Sequence, residues 1–563
     1  MRIFISLEKC VFNHPGHLNG GDPCFFIDDD GLISYHCFHP DCSCKSIKDV
    51  EEKLGTIKPT IKLGTDLDRV LAETKKVLPD DDSLYQRDAL LVQFKSRSPV
   101  PPQVKDTNGA ACCEAIPREI LLPKLTGLAR FEKLHEKKGW IGTIPNNDLV
   151  RAVLASGPFE GVRPLMNVVS GPIILPSGDI VATPGYDDQS GCFLDVENGY
   201  PEIMPLVIAL KKIRYVFQDF PHAKPAHESA AIACLLSLSG RQAFDGPAPM
   251  FPNVGNQPGL GKGLEGDVTT MIYEGRVACR QPYPYTDEEL VKIITATAIN
   301  GKPYILLDNC EDELGGGVLE SAVTSTRYTG RILGLSKSVD LPLRIIWMAS
   351  LNGANYSHDM QIRRVCPVEL STNLEFPDKR DDFAEPNLLQ YCRDNRKDLA
   401  IAALSILHHF IKAGKPDQHL STWGSFQEWS DLIRSAIVWA NLADPDSRED
   451  LIKTSNSDAY SLLRQLVASF SELGATSYNT AVTVSNAVGR GGSNDEAVLD
   501  SVPTLRDLLS MIPHRDKNHA LGQLLSKYRG RICENKKLER TDHAHPRWFI
   551  SDVEQYDPQL TLF

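Results

Sequence analysis

Apolar segments alternate with amphipathic ones across residues 226–375, a pattern typical of an α/β domain. Three apolar runs predict buried strands: "FPNV", "KPYILLDNCED" and "LPLRIIWMASLNGAN". The stretch "GLEGDVTTMIYEGR" predicts a helix after the first strand, and "RRVCPVEL" leads into a further strand. These elements predict an α/β nucleotide-binding core over 226–375.

The flanking patterns predict a multidomain α/β chain. Residues 56–225 indicate a mixed α+β region, with an amphipathic helix at "IPNNDLVRAVLAS" and a hairpin turning at Ser-Gly in "GPIILPSGDIVATPGYD". A helical region follows over 376–476, and the Gly/Ser-rich segment 477–500 is expected to be a linker. Residues 501–563 are basic and have the helix, helix, strand, strand order of a winged helix.

Composition limits which classes of protein this chain can belong to. The chain has 563 residues, of which 42% are hydrophobic and 24% charged, as expected for several globular domains. It contains no apolar run of about 18 residues and does not begin like a secretory signal, so we expect a cytoplasmic protein. The net charge of −13 argues against coat-like binding to nucleic acid but allows a small basic groove or a basic ring lining.

A glycine-rich segment, "GNQPGLGKG", follows the first predicted strand of the core. Glycines let backbone N–H groups converge on phosphates at a helix N-terminus, while a lysine neutralises their charge. The segment departs from the usual phosphate loop at Asn256, in place of a glycine, and at Gly263, in place of a magnesium-binding Ser or Thr. A glycine-rich turn without ligand is the alternative. The candidate nucleotide-binding residues are Gly255, Asn256, Pro258, Gly259, Gly261, Lys262 and Gly263.

Polar residues end the later strands in the order that an ATPase of the AAA+ type requires. Asp308 ends "KPYILLD", where an acid would associate with Mg²⁺. Asn352 and Asn355 end the next strand, where a side chain would sense the γ-phosphate, and Arg363 and Arg364 stand where an arginine finger for a neighbouring subunit would lie. The sequence therefore predicts an AAA+ P-loop core that uses ATP and Mg²⁺.

Cysteine and histidine cluster at the N-terminus, whereas most other cysteines, such as Cys192 and Cys279, stand singly, as buried reduced thiols do. The Cys112-Cys113 pair is expected in a loop. Two ligand-rich turns about 20 residues apart flank a strand-like segment, which is the layout of a zinc ribbon in residues 1–55. The available ligands are Cys10, His14, His17, Cys37, His39, Cys42 and Cys44.

Taken together, "GNQPGLGKGLEGD", "YTDEELVKIITATAINGKPYILLDN" and "DMQIRRVCPVEL" resemble the replicative helicases and primase-helicases of bacterial mobile elements. Their AAA+ module is related to superfamily 3 and minichromosome-maintenance-like helicases. The resemblance covers roughly 60–550 and is strongest over 250–450. It implies Lys262 as the Walker A lysine and Asp308 as the Walker B acid.

The same resemblance implies a sensor at Asn352 or Asn355, trans-acting fingers at Arg363 and Arg364, and hence a ring, most simply a hexamer.

A pore hairpin is also implied by this resemblance. The segment "YTGRILGLSKSVDLPLRI" would form two strands with Lys337 at the tip, touching DNA phosphate, and Arg331 as a weaker candidate; an ordinary surface hairpin is the alternative. For the zinc ribbon, the resemblance favours the ligand set Cys10, His17, Cys37 and Cys42.

The expected function is an ATP-driven DNA helicase that replicates a mobile element. It would either work with a separate primase as a partner or be a shortened version of the primase-helicases. Two departures favour a second hypothesis. One is Gly263, and the other is Asn309, which stands where a glutamate usually polarises the attacking water. Substitutes would be Glu311, Asp312, Glu313 or Glu288. The second hypothesis is a non-motor, ATP-gated DNA-binding switch or origin scaffold, and a catalytically weakened remnant is the third.

Overall fold

The structure is a computed structural model whose described residues fall in two main ranges, 58–95 and 112–448. Within the second range Pro258, Tyr285 and the segments 311–312, 332–337, 353–355 and 375–376 are not described. The shorter described segments are 3–6, 24–27, 33–36, 464–468, 517–529, 532–533, 536–541 and 547–552.

A five-stranded sheet forms the centre of the fold. Its strands are β1 (Phe251–Gly255), β2 (Arg280–Pro282), β3 (Tyr304–Cys310), β4 (Ile346–Asn352) and β5 (Val368–Leu370). They lie in the order β2-β3-β4-β1-β5, and all neighbours are parallel. Parallel sheets are covered on both faces, which explains why β1 is buried along its whole length. The predicted α/β core is confirmed, with each predicted strand at its predicted segment.

Helices connect these strands, and their ends follow local sequence signals. They are α1 (Lys262–Glu274), α2 (Asp287–Asn300), α3 (Gly317–Val323) and α4 (His358–Arg363). Helix α2 begins where the hydroxyl of Thr286 accepts the N–H of Glu289 at 3.4 Å, and it ends at Gly301, whose φ of 63° suits glycine. A further helix, Pro225–Ser239, is buried along nearly its whole length and precedes β1.

A β-hairpin lies between β3 and β4 in the chain. Its strands, Arg327–Arg331 and Ser338–Pro342, pair antiparallel, so the two strands predicted there are confirmed. Lys337 lies outside the described residues, and of Arg331 only the backbone is described. The role of the hairpin in a pore stays a prediction.

The region before the core has an apolar cluster of its own, which includes Leu121, Phe131 and Val150. Its helices are Leu67–Lys76, Arg118–Leu128 and Asn147–Ala155, the last of which was predicted. Its strands are Thr60–Leu63, Leu84–Arg87, Leu90–Lys95, Cys112–Ala115, Arg130–His135, Gly139–Thr143 and Arg163–Pro164. The loop expected at Cys112-Cys113 was wrong, because both residues pair with the strand Leu90–Lys95 and Cys113 is buried.

Short strands follow, and the predicted hairpin forms between Ile173–Ile174 and Ile180–Val181. The others are Asn167–Val169, Gly185–Asp187 and Cys192–Leu194. Arg87 fastens this half of the chain to the core, since its buried guanidinium donates to Leu165 O at 2.9 Å and to Ala298 O, on α2, at 2.7 Å.

Helices pack beside the core after β5. Their bounds are Leu388–Asp394, Arg396–Lys412, Gln427–Trp429 and Ser435–Trp439, and Leu206–Phe217 packs against Arg396–Lys412. Near the C-terminus, helix Lys517–Tyr528 precedes three antiparallel strands, Ile532–Cys533, Lys536–Arg540 and Trp548–Asp552. A winged helix there stays a prediction.

At the N-terminus, strands Ile3–Ser6, Cys24–Ile27 and Ile33–His36 form one antiparallel sheet. Cys10, His17, Cys37 and Cys42 lie outside the described residues. Within the described part of the chain, no cluster of three or more His, Cys, Asp or Glu side chains is placed to hold a metal. None of the helices described has both the length and the apolar character needed to cross a bilayer.

Candidate nucleotide-binding site

The glycine-rich loop joins the carboxyl end of β1 to the first turn of α1. Gly259 and Gly261 have φ values of 82° and 91°, in the left-handed region that favours glycine. A Cβ on Gly255 would lie 3.1 Å from Lys262 Cδ, so glycine there leaves room for the lysine to fold along the loop. Helix α1 begins at Lys262, at the end of this loop. The loop therefore leads to a helix N-terminus, where backbone N–H groups can bind a phosphate.

Lys262 and Asp308 lie close enough to interact electrostatically. Partial burial lowers the pKa of Lys262, and the negative charge of Asp308 acts in the opposite direction. The backbone of Lys262 is fixed by Asn253 on β1, whose side-chain amide donates to Lys262 O at 3.1 Å. The sheet order thus brings the predicted lysine and the predicted acid to one edge.

Ser350 on β4 completes the surroundings of Asp308. Its hydroxyl donates to Asp308 Oδ1, and it accepts the N–H of Asn309 at 3.2 Å. Asn309 has a φ of 54°, a conformation that asparagine adopts more readily than most residues. Ser350 was missed at the sequence level, although a hydroxyl inside the apolar run "IIWMASL" was the available signal.

Arg280, at the start of β2, occupies the side of the loop where a phosphate loop usually offers a hydroxyl. Its Nη2 lies 2.7 Å from Asp267 Oδ2 and donates to Gly263 O at 3.2 Å, while its Nε lies 3.4 Å from Asp308 Oδ2. A Cβ built on Gly263 would meet Arg280 Nη2 at 3.2 Å, which is a tight contact. The glycine at position 263 and the arginine at 280 therefore share one small space.

Asn256 is exposed, but its side chain makes two hydrogen bonds to the segment after β5. Its side-chain amide donates to Thr372 O at 3.1 Å, and its Oδ1 accepts the N–H of Thr372 at 3.3 Å. These bonds tie the loop to the segment after β5. Asn256, which stands in place of the usual glycine, therefore helps to hold the loop against that segment.

The two arginines after β4 differ in their surroundings. Arg364 is partly buried: its Nη1 donates to Asp359 O at 3.0 Å and lies 3.8 Å from Glu320 Oε2. The side chain of Arg363 is exposed, and its backbone carbonyl accepts the indole N–H of Trp423 at 3.1 Å. Arg363 is thus the one of the pair that faces outward from a single chain.

The predicted sensors are described only in part. Asn352 is the last residue of β4, beside Gly255 in the register, and Asn355 lies outside the described residues. Of the substitutes for a catalytic glutamate, Glu288 is in the first turn of α2 and Glu313 is exposed, while 311–312 are not described.

A cleft of about 570 Å³ opens beside Gly259 and Gly261. Its apolar lining includes Phe220, Leu264 and Leu388. Clefts of this size with a largely apolar lining are typical of small-molecule sites. Its other lining residues include Asp219, Thr372, Leu374, Arg380, Phe383 and Asn387.

Comparison with protein-family models gives no match, and neither does comparison with curated proteins. Among solved structures, the chain is similar to the apo A form of the NrS-1 C-terminal region, at 12% identity over 73% of this chain and 91% of that one, with a TM-score of 0.35. It is also similar to the SCCmec type IV Cch active helicase, at 13% identity over 83% and 94% of the two chains and a TM-score of 0.31. For JCV helicase the identity is 11%, the coverage 46% and 70%, and the TM-score 0.19. At these TM-scores the likeness carries no functional assignment, which depends on the site itself.

Proposed function

We propose that this protein binds ATP in the loop between β1 and α1 and couples its hydrolysis to the unwinding of DNA. The observation that carries the ATP-binding part is the placing of Lys262, at the N-terminus of α1, and Asp308, near the carboxyl end of β3, at one edge of a parallel sheet, where the charge of Asp308 acts on Lys262. Ligands of open parallel sheets bind at this edge, beyond the carboxyl ends of the strands.

The residues present fit a magnesium nucleotide. The loop N–H groups would bind phosphate oxygens, and Lys262 would neutralise them. Magnesium, when bound, would supply further neutralisation between the phosphates, and Asp308 would hold it, since Mg²⁺ prefers one or two carboxylates with phosphate oxygens and water. Asp308 is one-third exposed and Ser350 fixes one of its oxygens, so the other is available once Arg280 moves.

The nucleobase would lie in the cleft beside Gly259 and Gly261. Phe220 and Leu264 offer apolar surface to a planar base. The cleft wall is braced by Arg380, whose Nη1 donates to Asp219 O at 2.6 Å, and by the N–H of Ala384, which donates to Asp219 Oδ2 at 2.8 Å. Because these hydrogen bonds hold the cleft wall in place, little conformational entropy would be lost when the base binds.

DNA unwinding in replication of a mobile element is the further part of the proposal. The exposed position of Arg363 supports a trans-acting finger, and with it a ring of subunits. The antiparallel hairpin before β4 supports the predicted DNA-contacting element, in which Lys337 would bind phosphate. The proposal also includes a zinc ribbon at the N-terminus and a primase partner. We expect about one zinc ion per purified chain.

One observation favours a second candidate, a non-motor ATP-gated DNA-binding protein. Asn309, which follows Asp308, cannot act as a base, and its N–H is tied to Ser350. Slow turnover with ATP-dependent binding would follow from this arrangement.

The test compares the wild type with Lys262→Ala for binding of a fluorescent ATP analogue, DNA-stimulated hydrolysis and strand displacement. The helicase proposal expects all three in the wild type and their loss in the variant. Binding and DNA association without strand displacement would support the second candidate. The absence of ATP binding by the wild type would overturn both.

A further inference from the structure

A surface with exposed aromatic and basic side chains lies on a sheet outside the proposed ATP site. The strands of this sheet are Thr60–Leu63, Arg130–His135 and Gly139–Thr143. Alternate residues of a strand face opposite sides of a sheet. One side carries Ile61 and Phe131, both buried in the local core. The register pairs Lys62 with Glu132 and Leu134 with Trp140 on the other side, which we call the outer face.

The outer face leaves large apolar side chains in water. Trp140 is 41% exposed and its neighbour Leu134 is 67% exposed. Lys62 Nζ lies 4.9 Å from the centre of the Trp140 ring, so the aromatic face is already next to a cation. An exposed indole beside a lysine offers stacking and charge at once.

Further cations lie near Trp140. Lys137 and Lys138 are exposed in the turn before it, together with Glu136, and no ion pair is found for either lysine among the described residues. Lys133 lies on the opposite side of the sheet, in line with Phe131. The carboxylate of Glu132 lies 3.5 Å from Arg130 Nε, so its charge is partly neutralised. In a chain of net charge −13 this hairpin is a local positive surface.

We propose that the outer face binds single-stranded nucleic acid, with a base stacked on Trp140 and phosphates bound by Lys62, Lys137 and Lys138. Unpaired bases expose their faces for stacking on aromatic side chains, whereas bases in a duplex do not. A second copy of the chain fits less well, because a stable interface needs roughly 800 Å² per partner and the exposed apolar surface here consists of a few side chains. The proposal rests on the proposed function only for the identity of the nucleic acid, and it requires no ATP.

The experiment measures the affinity of the full chain for a fluorescein-labelled oligothymidylate strand by anisotropy, without nucleotide, for wild type, Trp140→Ala and Trp140→Phe. Removal of one stacked base should weaken binding by about 5- to 100-fold in Trp140→Ala. Trp140→Phe keeps an aromatic face and should stay within a few-fold of the wild type. Val207→Ala, which trims a 77% exposed side chain elsewhere, is the matched control and should bind like the wild type.

A salt series tests the lysines separately. Changing Lys137 and Lys138 to Ala should lower the slope of log affinity against log salt by about 0.7 for each phosphate that a lysine no longer neutralises. Wild-type affinity in Trp140→Ala would overturn the proposal, as would a changed oligomeric mass without changed strand affinity, which would assign the face to subunit association. If the wild type hydrolyses ATP but binds no single strand at this face, the inference fails while the ATPase stands.

Discussion

Removing Arg280 should change how much magnesium the protein needs to bind a nucleotide. In the structure, Arg280 Nε lies 3.4 Å from Asp308 Oδ2, the carboxylate oxygen that we assign to the metal. Arginine and Mg²⁺ would therefore compete for the same carboxylate. In Arg280→Ala, the Mg²⁺ concentration that gives half-maximal nucleotide binding should fall.

The size of the effect follows from the distance and the exposure. Two unit charges at this separation attract by about 1 kcal/mol in water and about 5 kcal/mol at an effective dielectric constant of about 20. The side chains of Arg280 and Asp308 are 34% and 33% exposed, so solvent screens the pair and the lower value applies. About 1 kcal/mol corresponds to a roughly fivefold lower Mg²⁺ requirement.

The assay titrates Mg²⁺ into protein and a fluorescent ATP analogue and follows binding by anisotropy. Arg214→Ala is the matched control, since Arg214 Nε makes a 3.0 Å ion pair with Glu228 outside the site. Arg280→Lys keeps the charge but not the fork of the guanidinium, so it should lie between wild type and Arg280→Ala. An unchanged or higher Mg²⁺ requirement in Arg280→Ala would refute the competition.

The neighbouring position extends the same test. Gly263→Ser adds a Cβ at 3.2 Å from Arg280 Nη2, so the arginine must shift before the new hydroxyl can reach a metal. The serine should therefore lower the Mg²⁺ requirement more in the Arg280→Ala background than in the wild type. Additive effects of the two changes would show that the positions are independent.

Three further outcomes are expected. Lys262→Ala should weaken binding of the ATP analogue by at least about tenfold, because the phosphates no longer have a charged hydrogen-bond donor there; wild-type affinity would contradict its assignment. Arg87→Met should lower the free energy of unfolding by about 3 kcal/mol in chemical denaturation, since buried carbonyls are left without their charged donor, whereas Arg151→Met on an exposed helix face should not. A maleimide at mildly alkaline pH should modify the exposed Cys279 and spare Cys113, whose pKa burial raises to about 11 and whose thiolate is therefore scarce, as peptide mapping can check.

The sequence predicted four of the five core strands, all except β2, because each of the four is set by a local property. Runs such as "YILLD" and "IIWMAS" are too apolar for any place except a buried parallel strand, and each ends at a polar residue. The glycine-rich loop was predictable for the same reason, since Gly259 and Gly261 mark backbone conformations that other residues avoid.

Interactions between distant segments were not predictable. Ser350 reaches Asp308 only because β3 and β4 are neighbours in the sheet, and no local pattern gives a sheet order. The burial of single cysteines was predicted only in part. Cys192 is buried as expected, but Cys279, which was also expected to be buried, is exposed. Cys279 comes just before β2, a short strand of two exposed residues and one half-buried residue, which explains the difference.

Arg280 changes what the glycine at 263 means. Seen alone, Gly263 removes a magnesium ligand and indicates a weakened phosphate loop. In the fold, the space beside it is filled by a guanidinium held by Asp267 at 2.7 Å and by Gly263 O at 3.2 Å. A serine would crowd that guanidinium, so the missing hydroxyl and the arginine are physically linked. Arg280 therefore lies against Asp308, the carboxylate that we propose for the metal, and the rate of turnover should depend on how readily Arg280 leaves it.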